Sequence, residues 1–409
     1  MKFHLSKSCI GLLICLLSCK NKSAVIFEKS NKKSNGQIAQ TIKADYKKHI
    51  YLKGIVNDSI EGNFVFDTGV CGFYLDSTFF NTMKTTDKVM NYRARGVGEG
   101  FQRIQVLNRK LGVRFDSLNY FQNFTPLMQL KKIGGRNIDG LIGYDAFKNN
   151  VVKIDYKKQY IQIIDPSDFN VPRHYQKIPL IIENHEIYLK MNIEISDSIA
   201  IAGNFLFDTG SQGALILTND MVKKHDLKKR IIKKTAYYSS AFGVGGTSSG
   251  YDLISKSINI SQFRIKNQIV SFSNDTTGAL SGQHFLGIAG NKLFEKFDLI
   301  IDFPHKELYL KPSHRFHHGN KMSLLGFSYT DRTDITEGWI VTFLYKNSNA
   351  EKAGLKFNDI VISINGIGVK EISQNQLAKF SKSSRVVSLK IIRNGEIKTI
   401  EFRTCRIIT

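Results

Sequence analysis

Asn63-Phe64-Val65-Phe66-Asp67-Thr68-Gly69 is answered later in the chain by Asn204-Phe205-Leu206-Phe207-Asp208-Thr209-Gly210. A single Asp-Thr-Gly triplet reads as an ordinary turn, because Asp and Gly both favour turn geometry. Two triplets, each closing a Phe-rich run and set 141 residues apart, read as copies of one unit. The copies extend outward. Tyr51-Leu52-Lys53 matches Tyr188-Leu189-Lys190, and Gly96-Val97-Gly98 matches Gly243-Val244-Gly245. Gly140-Leu141-Ile142-Gly143 matches Gly287-Ile288-Ala289-Gly290, and Ile154-Asp155-Tyr156 matches Ile301-Asp302-Phe303. The spacing widens from 137 to 141 to 147 residues and never narrows, as expected when insertions fall in loops.

The local pattern reads as β throughout. Phe64-Val65-Phe66 and Phe205-Leu206-Phe207 are short apolar runs leading into glycine turns. Val151 to Asp155 and Tyr160 to Ile163 read as a hairpin turning at Lys157-Lys158-Gln159. Leu299 to Asp302 and Leu308 to Leu310 repeat it, turning at Pro304-His305-Lys306. Short strands punctuated by Gly, Asn and Asp predict an all-β body.

On these residues the chain resembles the pepsin-like and retropepsin-like aspartic peptidases. The resemblance covers about residues 45–312 and rests on both Asp-Thr-Gly triplets, a glycine-rich stretch in each half and an apolar-apolar-Gly element in each half. It implies a duplicated, bilobal β-barrel fold, with Asp67 and Asp208 as a catalytic dyad that activates water. It also implies that Thr68 and Thr209 hydrogen-bond across the lobes, and that Gly69 and Gly210 allow close backbone approach. Gly96, Val97, Gly98, Gly243, Val244 and Gly245 map to flaps over the cleft. Two positions depart from the family pattern: Ala289, where a large apolar residue is usual, and Val70-Cys71 after the first triplet. Two facing carboxylates share one proton because both cannot ionise at close range. Ser211 follows the second triplet and Val70 the first. A Ser211 hydroxyl donating to Asp208 predicts that Asp208 carries the charge and Asp67 the proton.

Beyond Pro312 the repeat ends. Ala350 to Gly366, with Leu324-Leu325-Gly326-Phe327 upstream, resembles a PDZ domain over about residues 320–405. That resemblance implies a small α+β module and a groove for an extended peptide, with Leu325, Gly326, Phe327, Ser328 and Tyr329 at the binding edge. The helix from Gln374 to Ser381 would line the groove.

The expected organisation is a signal segment at 1–18, a tether at 19–42, lobes at 43–165 and 176–312, and the PDZ domain at 320–405. Lys2 and Lys7, the apolar Ile10 to Leu17 and the Leu16-Leu17-Ser18-Cys19 sequence resemble a bacterial lipoprotein signal. This implies lipidation at Cys19 and a lipid-anchored protein of the cell envelope, on the periplasmic or outer-surface side. Cys9, Cys15 and Cys19 fall in that segment, leaving Cys71 and Cys405 in different modules. The count argues against a disulfide framework and makes Cys71 a packing residue. The net charge of +23 comes from scattered lysines rather than one basic stripe, and no nucleic-acid motif accompanies it. It could favour acidic substrates or anionic membrane surfaces. His314, His317 and His318 cluster without further ligands at metal-site spacing, so neither a metal nor another cofactor is expected.

The functional expectation is a membrane-tethered aspartic endopeptidase acting on peptides or proteins, with a possible C-terminal peptide ligand at the PDZ domain. The alternative is a non-catalytic envelope protein that binds peptides and keeps the peptidase body as scaffold.

Overall fold

The computed structural model describes residues 39–85, 88–95, 101–116, 118–240, 247–282, 284–319, 323–382 and 384–407. Cys19, the tether up to residue 38 and the expected flap residues Gly96, Val97, Gly98, Gly243, Val244 and Gly245 lie outside the described residues. The described chain is mostly β-strand.

In the first half, Ile50–Val56 runs antiparallel to Ile60–Phe66 through a turn in which Asn57 and Asp58 both take positive φ. Asn and Asp tolerate that region better than other residues with a Cβ. Ile60–Phe66 then pairs in parallel with Gly140–Ile142, Phe66 opposite Ile142. In the second half, Glu186–Ser196 runs antiparallel to Ile199–Asp208, which pairs in parallel with Gly287–Gly290, Phe207 opposite Ala289. Each Asp-Thr-Gly triplet therefore begins where a buried strand is held between an antiparallel and a parallel neighbour.

A sheet contributed by both halves joins them. Its order is Ala39–Tyr46, Tyr160–Ile164, Val151–Asp155, Phe297–Asp302, Glu307–Pro312 and Gln176–Glu183, all antiparallel. The central contact sets Ile154 opposite Leu299 and Val152 opposite Ile301. Apolar alternation makes this seam dry. Val152, Ile161, Leu299, Ile301, Leu308 and Leu310 are fully buried in a core that also takes Phe64, Phe66, Phe205 and Phe207. Burying each such side chain stabilises the fold by roughly 1.5–3 kcal/mol.

The C-terminal module has its own core, built on Phe327, Val341, Leu355, Val361, Leu389 and Ile391. Its strands Phe327–Asp331, Trp339–Tyr345, Ile360–Ile364, Val386–Arg393 and Glu396–Arg403 pair in that sequence. Asn365-Gly366 and Asn394-Gly395 supply the positive φ pairs at two of its hairpins, as tight two-residue turns require.

Two junctions tie this module to the body. Trp339–Tyr345 adds to Thr235–Ser240 of the second half, Tyr237 opposite Tyr345 and Ser239 opposite Phe343. Tyr237 stacks on Phe343 with ring centroids 4.9 Å apart, and the Tyr345 hydroxyl donates to Asp252 Oδ2 at 2.6 Å. On the first half, Arg136 donates its backbone N–H to the Asp331 carbonyl and sets Nε 3.1 Å from the Asp331 carboxylate. Both junctions join segments far apart in the chain, which no local pattern in the sequence marks.

Candidate active site

The two triplets meet at the centre of the body. The Thr68 hydroxyl donates to the Phe207 carbonyl at 2.8 Å, and the Thr209 hydroxyl donates to the Phe66 carbonyl at 2.9 Å. Each hydroxyl oxygen also accepts from the other threonine's backbone N–H, at 3.0 and 3.1 Å. Four reciprocal bonds between residues far apart in sequence thus lock the loops together, and both threonines are buried. Their geometry brings the preceding side chains, Asp67 and Asp208, together, each carboxyl against the glycine of the other triplet.

The glycines of the triplets make that contact possible. A Cβ on Gly210 would sit 2.2 Å from the Asp67 carboxyl carbon, and one on Gly69 would sit 2.7 Å from that of Asp208. Any side chain there would occupy the space of a carboxyl group. Gly143 and Gly290 answer the same need one layer back. A Cβ on Gly143 would meet the Val70 carbonyl at 2.0 Å, and one on Gly290 the Gly213 carbonyl at 2.3 Å. Behind the loops, Asp67 donates its N–H to the Ile142 carbonyl, and Asn291 donates its N–H to the Ser211 carbonyl at 2.7 Å. Ala289 is fully buried opposite Phe207 and Leu215.

The carboxyls are not equivalent. Burial pushes Asp67 well above the usual carboxylate range, and the facing Asp208 charge pushes it further, against one N–H from Gly69. Burial also raises Asp208, opposed by the hydrogen bond from Asp67 and by the Ser211 and Gly210 N–H groups. Asp208 Oδ1 accepts those two backbone donors at 3.0 and 2.8 Å, whereas Asp67 Oδ1 accepts one, from Gly69 at 2.8 Å. Donors to an ionised carboxylate stabilise the charge, which favours charge on Asp208 and the proton on Asp67. The expected source of this asymmetry needs correcting. It is the Ser211 backbone N–H that bonds Asp208, while the Ser211 hydroxyl faces the close passage at Gly290.

His49 was missed in the sequence. It is buried beside the second loop, with Nε2 2.7 Å from the Gln212 amide nitrogen. Burial, then the Lys48 charge, push it down to about 4, partly offset by the Gly210 backbone. The ring is therefore neutral near pH 7 and accepts from Gln212. Its only sequence signal was position, just ahead of the repeated Tyr-Leu-Lys block.

In the C-terminal module, Leu325 and Phe327 are buried, Gly326 takes φ +79, and Ser328 is exposed. Tyr329 stacks flat on Trp339, ring centroids 3.9 Å apart. The strand Phe327–Asp331 pairs with Trp339–Tyr345 along one edge, and Leu377 of the helix Gln374–Lys382 packs against the same core. Cys71 is completely buried and disulfide-bonded, which corrects the expectation that it serves only as a packing residue, while Cys405 is a free thiol. Among the described residues no group of three or more His, Cys, Asp or Glu could hold a metal ion.

Residues 315–392 match the family model of the PDZ domain, and this part of the chain is a PDZ domain. The carboxy-terminal processing protease CtpB of Bacillus subtilis (strain 168) is 44% identical over 69 residues, 16% of this chain and 14% of that protein. The chain thus matches about a seventh of that relative's length. Among solved structures, the basic 7S globulin from soybean is similar with a TM-score of 0.41 and 9% identity, over 68% of this chain and 95% of that one.

Proposed function

We propose that the protein is an aspartic endopeptidase with a peptide-binding PDZ domain. The observation that carries the reading is the pair Asp67 and Asp208, each carboxyl packed against the other triplet's glycine at the meeting of two clamped loops. In this reading the ionised Asp208 takes a proton from a water between the carboxyls. The water oxygen attacks the scissile carbonyl carbon while Asp67 gives its proton to the carbonyl oxygen. Asp208 then passes its proton to the leaving nitrogen as the C–N bond breaks, and a hydroxyl of the tetrahedral diol returns a proton to Asp67, so the dyad again holds one shared proton. The pair titrates as a unit. Lobes at 43–165 and 176–312, and a lipid anchor at Cys19 that holds the body at an envelope membrane, belong to the same proposal.

Cleavage of a mixed peptide library across acidic to neutral pH tests it. Activity lost in both Asp67→Asn and Asp208→Asn, and blocked by a statine-type inhibitor, supports the enzyme. The PDZ match favours one other reading, a peptide-binding envelope protein without catalysis. Peptide binding with no cleavage under any condition would select it.

A further inference from the structure

The strand Phe327–Asp331 of the PDZ domain has Trp339–Tyr345 along one edge, and among the described residues it has no other ladder partner. The direction of its backbone groups follows from bonds around it. Tyr345 donates its N–H to the Gly326 carbonyl, so Gly326 faces the partner strand. Val341 instead donates to the Asp359 carbonyl and accepts from the Asn358 N–H, away from Tyr329. Inward and outward groups alternate along an antiparallel strand. The extra residue of the bulge, Thr342, lies on the partner strand, so the alternation runs unbroken from Phe327 to Asp331. The backbone groups of Phe327, Tyr329 and Asp331 therefore point to the uncovered edge.

At Asp331 that edge is already taken, by the first half. The Asp331 carbonyl accepts the Arg136 N–H at 2.9 Å, and its carboxylate lies 3.1 Å from Arg136 Nε. Gly135 allows the approach: its φ is +98, and a Cβ there would come within 3.2 Å of that carbonyl. The segment carrying Arg136 is anchored. Leu130 and Ile138 are buried with Val65, Ile133 packs against them, and Asp76 Oδ2 accepts the Lys131 N–H at 3.0 Å. The first half thus supplies one backbone donor to the edge and ends it there. What remains runs from Phe327 to Thr330. Tyr329 on this strand, Leu377 on the helix Gln374–Lys382 and Ile372 just ahead of it are only partly buried against the PDZ core.

We propose that the first half closes one end of the PDZ groove, so that the groove takes a short extended tail of about four residues, opposite Phe327 to Thr330, and turns longer strands away. The inference rests on the peptide binding proposed above, not on the dyad. An added strand holds a sheet edge through its own backbone groups. One that reaches Asp331 finds the carbonyl occupied and the Arg136 backbone in its path. Arg136 sets the limit, because it brings both the N–H in that row and the cation that pairs with Asp331.

The test uses the full chain and its Arg136→Asp variant, which sets two carboxylates face to face; the Arg136 side chain is 47% exposed, so the variant should fold. A randomised pool of free-carboxyl peptides about four residues long is selected on both proteins. The selected tail is made with a fluorophore, alone and extended at its other end by about four Thr and Val residues, which favour strands. Anisotropy titration on wild type should show the long peptide binding no tighter than the short one. On Arg136→Asp the long peptide should bind about tenfold tighter than the short one, as ladder bonds at Asp331 become available. The charge swap, Arg136→Asp with Asp331→Arg, should restore the wild-type ratio. A tail selected only on Arg136→Asp would also support closure by the first half. If the ratio of long to short binding is the same on wild type and Arg136→Asp, the inference is overturned while peptide binding stands. If no tail is selected on either protein, the peptide-binding reading fails and the inference falls with it.

Discussion

Asp252→Asn probes the junction between the PDZ domain and the second half. Asp252 is 5% exposed and accepts the Tyr345 hydroxyl across that junction. Burial raises its pKa from 3.8 to about 6, opposed by hydrogen bonds from Ser271 and Tyr345. The folded protein therefore keeps this proton over a window in which the unfolded chain has released it. The stabilisation is complete below pH 3.8 and is lost as pH rises through about 6. At 1.36 kcal/mol per unit, the shift is worth about 3 kcal/mol. Asparagine keeps the shape and the acceptor for Tyr345 but cannot titrate. The stability difference between wild type and variant should change by about 2.4 kcal/mol between about pH 4 and pH 7, the wild type losing ground as pH rises. The dyad contributes a slope of the same sign to both proteins, which drops out of the difference if the sites are independent. Trp339 is the only tryptophan and lies on the junction strand, so its fluorescence during urea unfolding follows this event. Parallel stability–pH curves for the two proteins would refute a desolvated, protonated Asp252.

Three further outcomes follow from the loop geometry. Thr209→Val strips the Phe66 carbonyl and the Thr68 N–H of their partner, and should cost about 2–4 kcal/mol in chemical denaturation because both groups are buried; a loss below about 0.5 kcal/mol would mean water replaces the clamp. Gly210→Ala should fold, since Gly210 does not take a positive φ, but should lose cleavage as its methyl displaces the Asp67 carboxyl; wild-type turnover would contradict the proposed dyad. Ser211→Ala retains the backbone donor to Asp208 and should leave the acid limb of the pH–rate profile in place, while a rise of about one pH unit would return the hydroxyl to the circuit.

Much of this was legible along the chain because it is local or repeated. The Phe-rich strands, the hairpins at Gln159 and Lys306 and the Asn-Gly turns follow from alternation and turn chemistry, which neighbouring residues encode. The pairing of Asp67 with Asp208 was readable for a different reason: a repeat carries one half's geometry into the other. Ser211 shows where such reasoning stops. Residue type named a hydroxyl donor, but every residue except proline also carries an N–H, and only the loop's path selects which donor reaches the carboxylate.

The sequence by itself determined the β character, the two matched triplets and the PDZ pattern, since each is written in contiguous residues. Tertiary structure alone decided that His49 lies beside Gln212, that Tyr345 meets Asp252, and that lysines scattered from 47 to 296 face one cavity with Arg315. Those contacts join segments with no shared periodicity or motif. Their charges and donors acquire partners only when packing brings distant strands together and excludes water from between them.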